Sequence, residues 1–146
     1  MRELPRQLTT DELAALFEGR TALVERLAEG EWPLDRARDV ARGLSEAEKR
    51  EVLDAHPAIG ARTGLSARSA AEQGSDDDPE VLAELAGLNR EYEQRFGFRF
   101  VVFVNRRPRR DLVPILRERL ARTREEELET AVDELVSIAI DRWRTS

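Results

Sequence analysis

Apolar residues recur along the chain at helical spacing, in stretches separated by turn-forming residues. Thr9 stands three residues before Glu12, the pattern of a capping box, and opens an amphipathic stretch with Leu13, Leu16 and Phe17. Thr21 to Glu29 places Leu23, Val24 and Leu27 on one face and stops at Gly30; a third helical stretch follows Pro33. Ser45 and Glu48 form another capping box ahead of Val52 and Leu53, and this helix should end at His56, because Pro57 disfavours helical geometry in the residue before it. Asp78 and Pro79 suit the N-cap and first position of a helix that carries Leu82, Leu85, Leu88 and Tyr92 and stops at Gly97. Another start falls near Asp111. Thr123 and Glu126 then cap a last long helix through Leu128, Val132, Leu135, Ile138 and Ala139.

Two segments break the pattern. The stretch from Ile59 to Asp78, with three glycines and an acidic run, reads as loop interrupted by one short helix. Phe98 to Val104 is apolar at nearly every position and rich in aromatic and β-branched side chains, yet no second strand is present to pair with it. Periodicity cannot decide whether so short a run is extended or helical. If extended and buried, its amides and carbonyls need partners from helix ends, water or a ligand. The expectation is an all-α, single-domain helical bundle over residues 1–146, with one short extended or irregular apolar segment near 98–104. There is no internal repeat and no linker-like stretch.

Composition narrows the chemistry. A chain of 146 residues, 40% apolar and 37% charged, suits one globular core rather than a disordered tail. No apolar run approaches the roughly 20 residues needed to cross a bilayer, and the acidic residues of the amino-terminal stretch do not fit a secretory signal, so cytoplasmic residence is expected. The net charge of -6 argues against nonspecific nucleic-acid binding. With no cysteine and a single histidine, thiolate chemistry is excluded and a transition-metal site is not expected.

That histidine, His56, is the first candidate for chemistry. A lone histidine near a helix end more often serves structure than catalysis, but the helix macrodipole there favours an imidazolium and would raise its pKa unless burial opposes it. Such a group is suited to proton transfer near neutral pH. Ser69 and Glu72 are three residues apart with Gln73 beside them, which on a helix gathers a hydroxyl, a carboxylate and an amide into one patch; a plain surface helix would look the same. Arg106, Arg107, Arg109 and Arg110 read as loop and helix start. Arg142 follows Ile138 and Ala139 by one turn, facing roughly the same way, and its planar fork suits a carboxylate.

Taken in order, His56-Pro57-Ala58-Ile59-Gly60, Ser69-x-x-Glu72-Gln73 and Leu88-Asn89-x-x-Tyr92-x-x-Arg95-Phe96-Gly97-Phe98-x-Phe100-Val101 resemble the 2-oxo-4-hydroxy-4-carboxy-5-ureidoimidazoline decarboxylase family. The likeness continues through Glu118-Arg119-Leu120 and Glu127-Leu128 into the last helix. It implies a helical bundle, often a homodimer, that uses no metal or organic cofactor and acts on a small ureidoimidazoline. It implies catalytic roles for His56 and Glu72, and substrate contacts from Pro57, Ser69, Gln73, Arg142 and the backbone of Phe100, Val101, Val102, Phe103 and Val104. The sequence departs from the family pattern at Arg99, where proline is common, at Arg122, where asparagine is frequent, and in a short stretch between His56 and Ser69. Two other readings stand beside this one: a helical interaction module without activity, and another ureide-processing enzyme on the same scaffold.

Overall fold

The computed structural model describes residues 2–57 and 78–145. Its helices are α1 (Thr10–Leu16), α2 (Ala22–Ala28), α3 (Pro33–Arg42), α4 (Glu46–Asp54), α5 (Pro79–Phe96), α6 (Leu112–Leu120) and α7 (Arg124–Thr145), with a 3-10 turn at Arg109–Asp111 leading into α6. The fold is all-α, and among the described residues there is no strand. The anticipated helix between Ile59 and Asp78 falls outside the described residues, as do Ser69, Glu72 and Gln73.

Local chemistry sets the helix starts. Thr9 accepts from the Glu12 amide at 3.1 Å while the Glu12 carboxylate accepts from the Thr9 amide at 2.9 Å, and Ser45 and Glu48 repeat the reciprocal pair. Thr123 and Glu126 do the same ahead of α7. Asp78 accepts from the Glu80 amide, with Pro79 in the first turn of α5. Gly97 ends α5 at φ 81°, a left-handed position that glycine occupies without steric cost. The α4 helix stops at Asp54, two residues short of the expected end: the amide of His56 turns back to the Leu53 carbonyl in a tighter loop before Pro57.

The last helix organises the packing. It lies against α1, α3 and α4, while α2 joins α1, α3 and α4, and α5 packs on α6. Its buried side chains Leu128, Ala131, Val132, Leu135, Val136 and Ala139 meet Leu13, Phe17, Leu23, Leu34 and Leu53 in one apolar cluster. Burial of this kind supplies the main favourable free energy of folding, about 25 cal/mol for each Å² of apolar surface removed from water.

Residues 98–104 are neither helix nor strand, and Phe98, Phe100, Val101, Val102 and Val104 are buried. The rings of Phe98 and Phe100 stand edge-on to Tyr92 of α5, at 5.9 and 5.1 Å between centroids. Arginines serve the backbone where a neighbouring strand would otherwise do so. Arg119 donates to the Val101 carbonyl at 2.7 Å, and Arg107 donates to the carbonyls of Phe103 and Val104 at 2.6 and 2.9 Å.

Candidate active site

His56 lies just past the end of α4 and is 5% exposed. Arg99 fixes this corner. Its guanidinium donates to the carbonyls of Asp54 and His56, its amide donates to the Asp54 carboxylate at 3.1 Å, and its Nε pairs with Glu93 at 3.2 Å. The residue that departs from the family pattern is therefore a clamp between the 98–104 segment and the end of α4. A proline at this position could make none of these bonds.

The imidazole Nε2 is buried and has no hydrogen-bond partner among the described residues. Burial pushes the pKa down to about 4, Arg142 and then Arg99 act in the same direction, and Glu18 opposes them. Burial is what opposes the macrodipole here: removing the ring from water outweighs a helix end whose effect is about 0.3–1 kcal/mol. At neutral pH His56 is uncharged, and so able to take up a proton.

Arg142 comes to the same corner from α7. It is 3% exposed and donates from one terminal nitrogen to the Leu16 carbonyl and from the other to Glu18 Oε1, each at 3.0 Å. Its carboxylate partner lies 124 positions away in the chain. Glu18 lies in the turn between α1 and α2 at φ 65°, a left-handed conformation that costs a side-chain-bearing residue roughly 1–2 kcal/mol.

Sequence reasoning assigned no role to a second buried ionic group. Glu127 of α7, fully buried, accepts from Tyr92 Oη at 2.6 Å, from Arg119 Nε at 2.7 Å and from Arg122 at 3.0 Å. Arg119 also lies over the Phe100 ring, 4.5 Å from its centroid, while bonding the Val101 carbonyl. The group thereby sets the orientation of the 100–101 backbone. Only the charged residues inside the Glu118-Arg119-Leu120 and Glu127-Leu128 motifs hinted at it. Arg122, the other departure from the family pattern, joins this group and also reaches Thr130 at 2.9 Å.

The structure thus gathers His56, Arg142 and Glu18 into one corner, with the 98–104 segment tied to it through Arg99. Pro57 is half-buried beside His56. Among the described residues no group of three or more His, Asp or Glu side chains is arranged to hold a metal ion. No helix among them is long and apolar enough to cross a membrane.

Comparison with known proteins adds the following. A family model described as OHCU decarboxylase matches residues 2–144. The chain is 29% identical over 150 aligned positions to the uric acid degradation bifunctional protein PucL of Bacillus subtilis, covering 95% of this chain and 30% of that protein. It is 30% identical to the 2-oxo-4-hydroxy-4-carboxy-5-ureidoimidazoline decarboxylase of Halalkalicoccus jeotgali, covering 69% of this chain and 60% of the other. The chain therefore spans less than two thirds of either relative. A crystal structure of an OHCU decarboxylase in the presence of (S)-allantoin superposes with a TM-score of 0.75 at 25% identity, over 90% of this chain and 94% of that one. A crystal structure of an (S)-allantoin synthase superposes at 0.69 with 20% identity, a likeness of fold.

Proposed function

From the premise that this chain belongs to the OHCU decarboxylase family, we propose that it decarboxylates 2-oxo-4-hydroxy-4-carboxy-5-ureidoimidazoline to (S)-allantoin, in uric acid breakdown. The observation that carries the reading is the buried corner in which an uncharged imidazole, its ring nitrogen unpartnered among the described residues, lies within the electrostatic reach of a buried arginine fork. One group suits proton transfer and the other an anion.

The substrate bears a carboxylate and a hydroxyl on one carbon, next to a carbon conjugated with ring nitrogen. When the bond to the carboxylate breaks, its electron pair moves into that conjugation and carbon dioxide leaves. The ring nitrogen that receives the pair takes a proton from solvent, which gives an enol; the enol then gives up its hydroxyl proton, and the neighbouring carbon takes one. Because the substrate supplies its own electron sink, the protein's tasks are orientation, charge placement and protonation on one face. In this scheme Arg142 holds an anionic or carbonyl group, uncharged His56 accepts the hydroxyl proton, and Glu72 orients the imidazole and shares the transfer to carbon. Pro57, Ser69 and Gln73 shape the pocket. The backbone of residues 100–104 offers hydrogen bonds to the ureide, supported by the absence of any acceptor for the amides of Val101 and Val102 among the described residues.

The test uses freshly generated uricase product, followed by circular dichroism. Unassisted protonation has no facial preference, so a growing signal of optically active allantoin marks the enzyme. Product forming at the unassisted rate without optical activity would leave the interaction module or another ureide reaction as the account.

A further inference from the structure

Arg142 is useful to an anion only if its fork is held in place before the anion arrives, since otherwise binding must also order a long side chain. The structure shows what holds it. One terminal nitrogen is fixed by the Leu16 carbonyl at the end of α1, and the other by Glu18, two residues further on. Glu18 is not placed there by an easy backbone: its φ of 65° belongs to a conformation where Gly or Asn would be at home, and a glycine does follow at position 19. Residues kept in such conformations cluster at functional sites, where the surrounding structure maintains them for a reason other than stability. Its side chain is 14% exposed, against 3% for Arg142, so the pair lies at the edge of the buried corner rather than on the surface.

We propose that Glu18 is a positioning residue of the active site, whose carboxylate presets the Arg142 fork and balances its charge beside His56. The proposal rests on the decarboxylase reading for what Arg142 binds, but not for the pairing itself. Among the described residues, the charged groups that bear on His56 are Arg142 from α7, Glu18 from the α1–α2 turn and Arg99 from the 98–104 segment. Of these Glu18 alone favours the imidazolium. Glu18→Gln keeps an acceptor for Arg142 while deleting the charge. Glu18→Gly deletes the side chain but relieves the left-handed strain, so folding is retained by a different route.

Three measurements test this. Steady-state kinetics and calorimetric titration with (S)-allantoin should show KM and Kd rising about tenfold in Glu18→Gln and more in Glu18→Gly, the scale of one charge-assisted contact. A merely structural defect would lower the active fraction, and with it kcat, leaving KM unchanged. In an Arg142→Ala background the Glu18→Gln effect on allantoin affinity should vanish, since Glu18 acts through Arg142. Because the chain has one histidine, its ring resonances can be followed through a pH titration without assignment. The His56 midpoint should fall in Glu18→Gln and rise in Arg142→Ala. Wild-type KM, affinity and His56 midpoint in a folded Glu18→Gln would overturn the proposal, as would a Glu18 effect undiminished without Arg142. If wild type itself neither decarboxylates nor binds allantoin, the substrate reading fails, and the two histidine midpoints alone decide whether Glu18 governs this corner.

Discussion

Arg119 and Glu127 meet through a 2.7 Å hydrogen bond between Nε and Oε1 with almost no solvent access, and the same guanidinium holds the Val101 carbonyl. An ion pair of this kind is most costly when half of it is removed, because the remaining charge stays buried and uncompensated. Glu127→Ala would strand Arg119 and take the acceptor from Tyr92. It should lower unfolding free energy by about 3–5 kcal/mol in chemical denaturation. Arg122→Ala, which removes a partner one third exposed, should cost clearly less.

His56 makes stability depend on pH. Its pKa is about 4 in the folded protein, against the ordinary 6.5 of an unfolded chain, so between these values the unfolded chain binds more protons than the folded one. Stability should therefore be unaffected by this residue above pH 6.5, fall as the pH drops from 6.5 to about 4, and level off below. The loss is roughly 3 kcal/mol if the full difference is realised. Denaturation of wild type and His56→Asn at pH 7 and pH 4.5 isolates it. The gap between the two proteins should change in favour of the variant as pH falls, and a constant gap would contradict the depressed pKa.

Catalysis should depend on His56 and Glu72 separately. His56→Asn and Glu72→Ala are each expected to lower the decarboxylation rate by about a hundredfold or more, the range for general acid–base groups. Both should retain helical circular dichroism. A folded variant working near the wild-type rate removes that residue from the mechanism.

Substitutions at Arg142 are expected to affect binding and stability together. Arg142→Ala should weaken (S)-allantoin binding roughly tenfold to a hundredfold, and Arg142→Lys should also bind poorly because an ammonium cannot reproduce the planar two-donor fork. The buried contacts to Leu16 and Glu18 add a second expectation. Arg142→Ala leaves both acceptors without their donor, so its melting temperature should fall as well, in contrast to an arginine on an exposed helix face. Calorimetric titration and thermal melts together separate the two effects.

What could be seen in the sequence follows from range. The pairs Thr9–Glu12, Ser45–Glu48 and Thr123–Glu126 are each three residues apart, so the chemistry that starts those helices is written locally. The buried faces of α5 and α7 follow equally from helical spacing. The resemblance pointed to His56 and Arg142, and the structure brings them to one corner; Ser69, Glu72 and Gln73 lie outside the described residues. Glu18 escaped notice because its partner is 124 positions distant, and neither residue is unusual by itself. The union of Tyr92, Arg119 and Glu127 likewise depends on how α5, α6 and α7 pack. The pKa of His56 stayed open between two opposing effects because a helix end is visible in sequence, whereas the depth of the ring is not.

The central position of the last helix bears on how the protein is made. Helices α1, α3 and α4 all pack against α7, which begins at Arg124, so during synthesis their apolar faces wait for α7 to emerge. Contacts this distant in sequence form late and slowly compared with local ones. Until then α1 to α4 would present Leu13, Phe17, Leu34 and Leu53 without their final cover, a nascent surface suited to chaperone capture. A ribosome stalled before residue 124 would hold a chain with well-capped helices and an unfinished core.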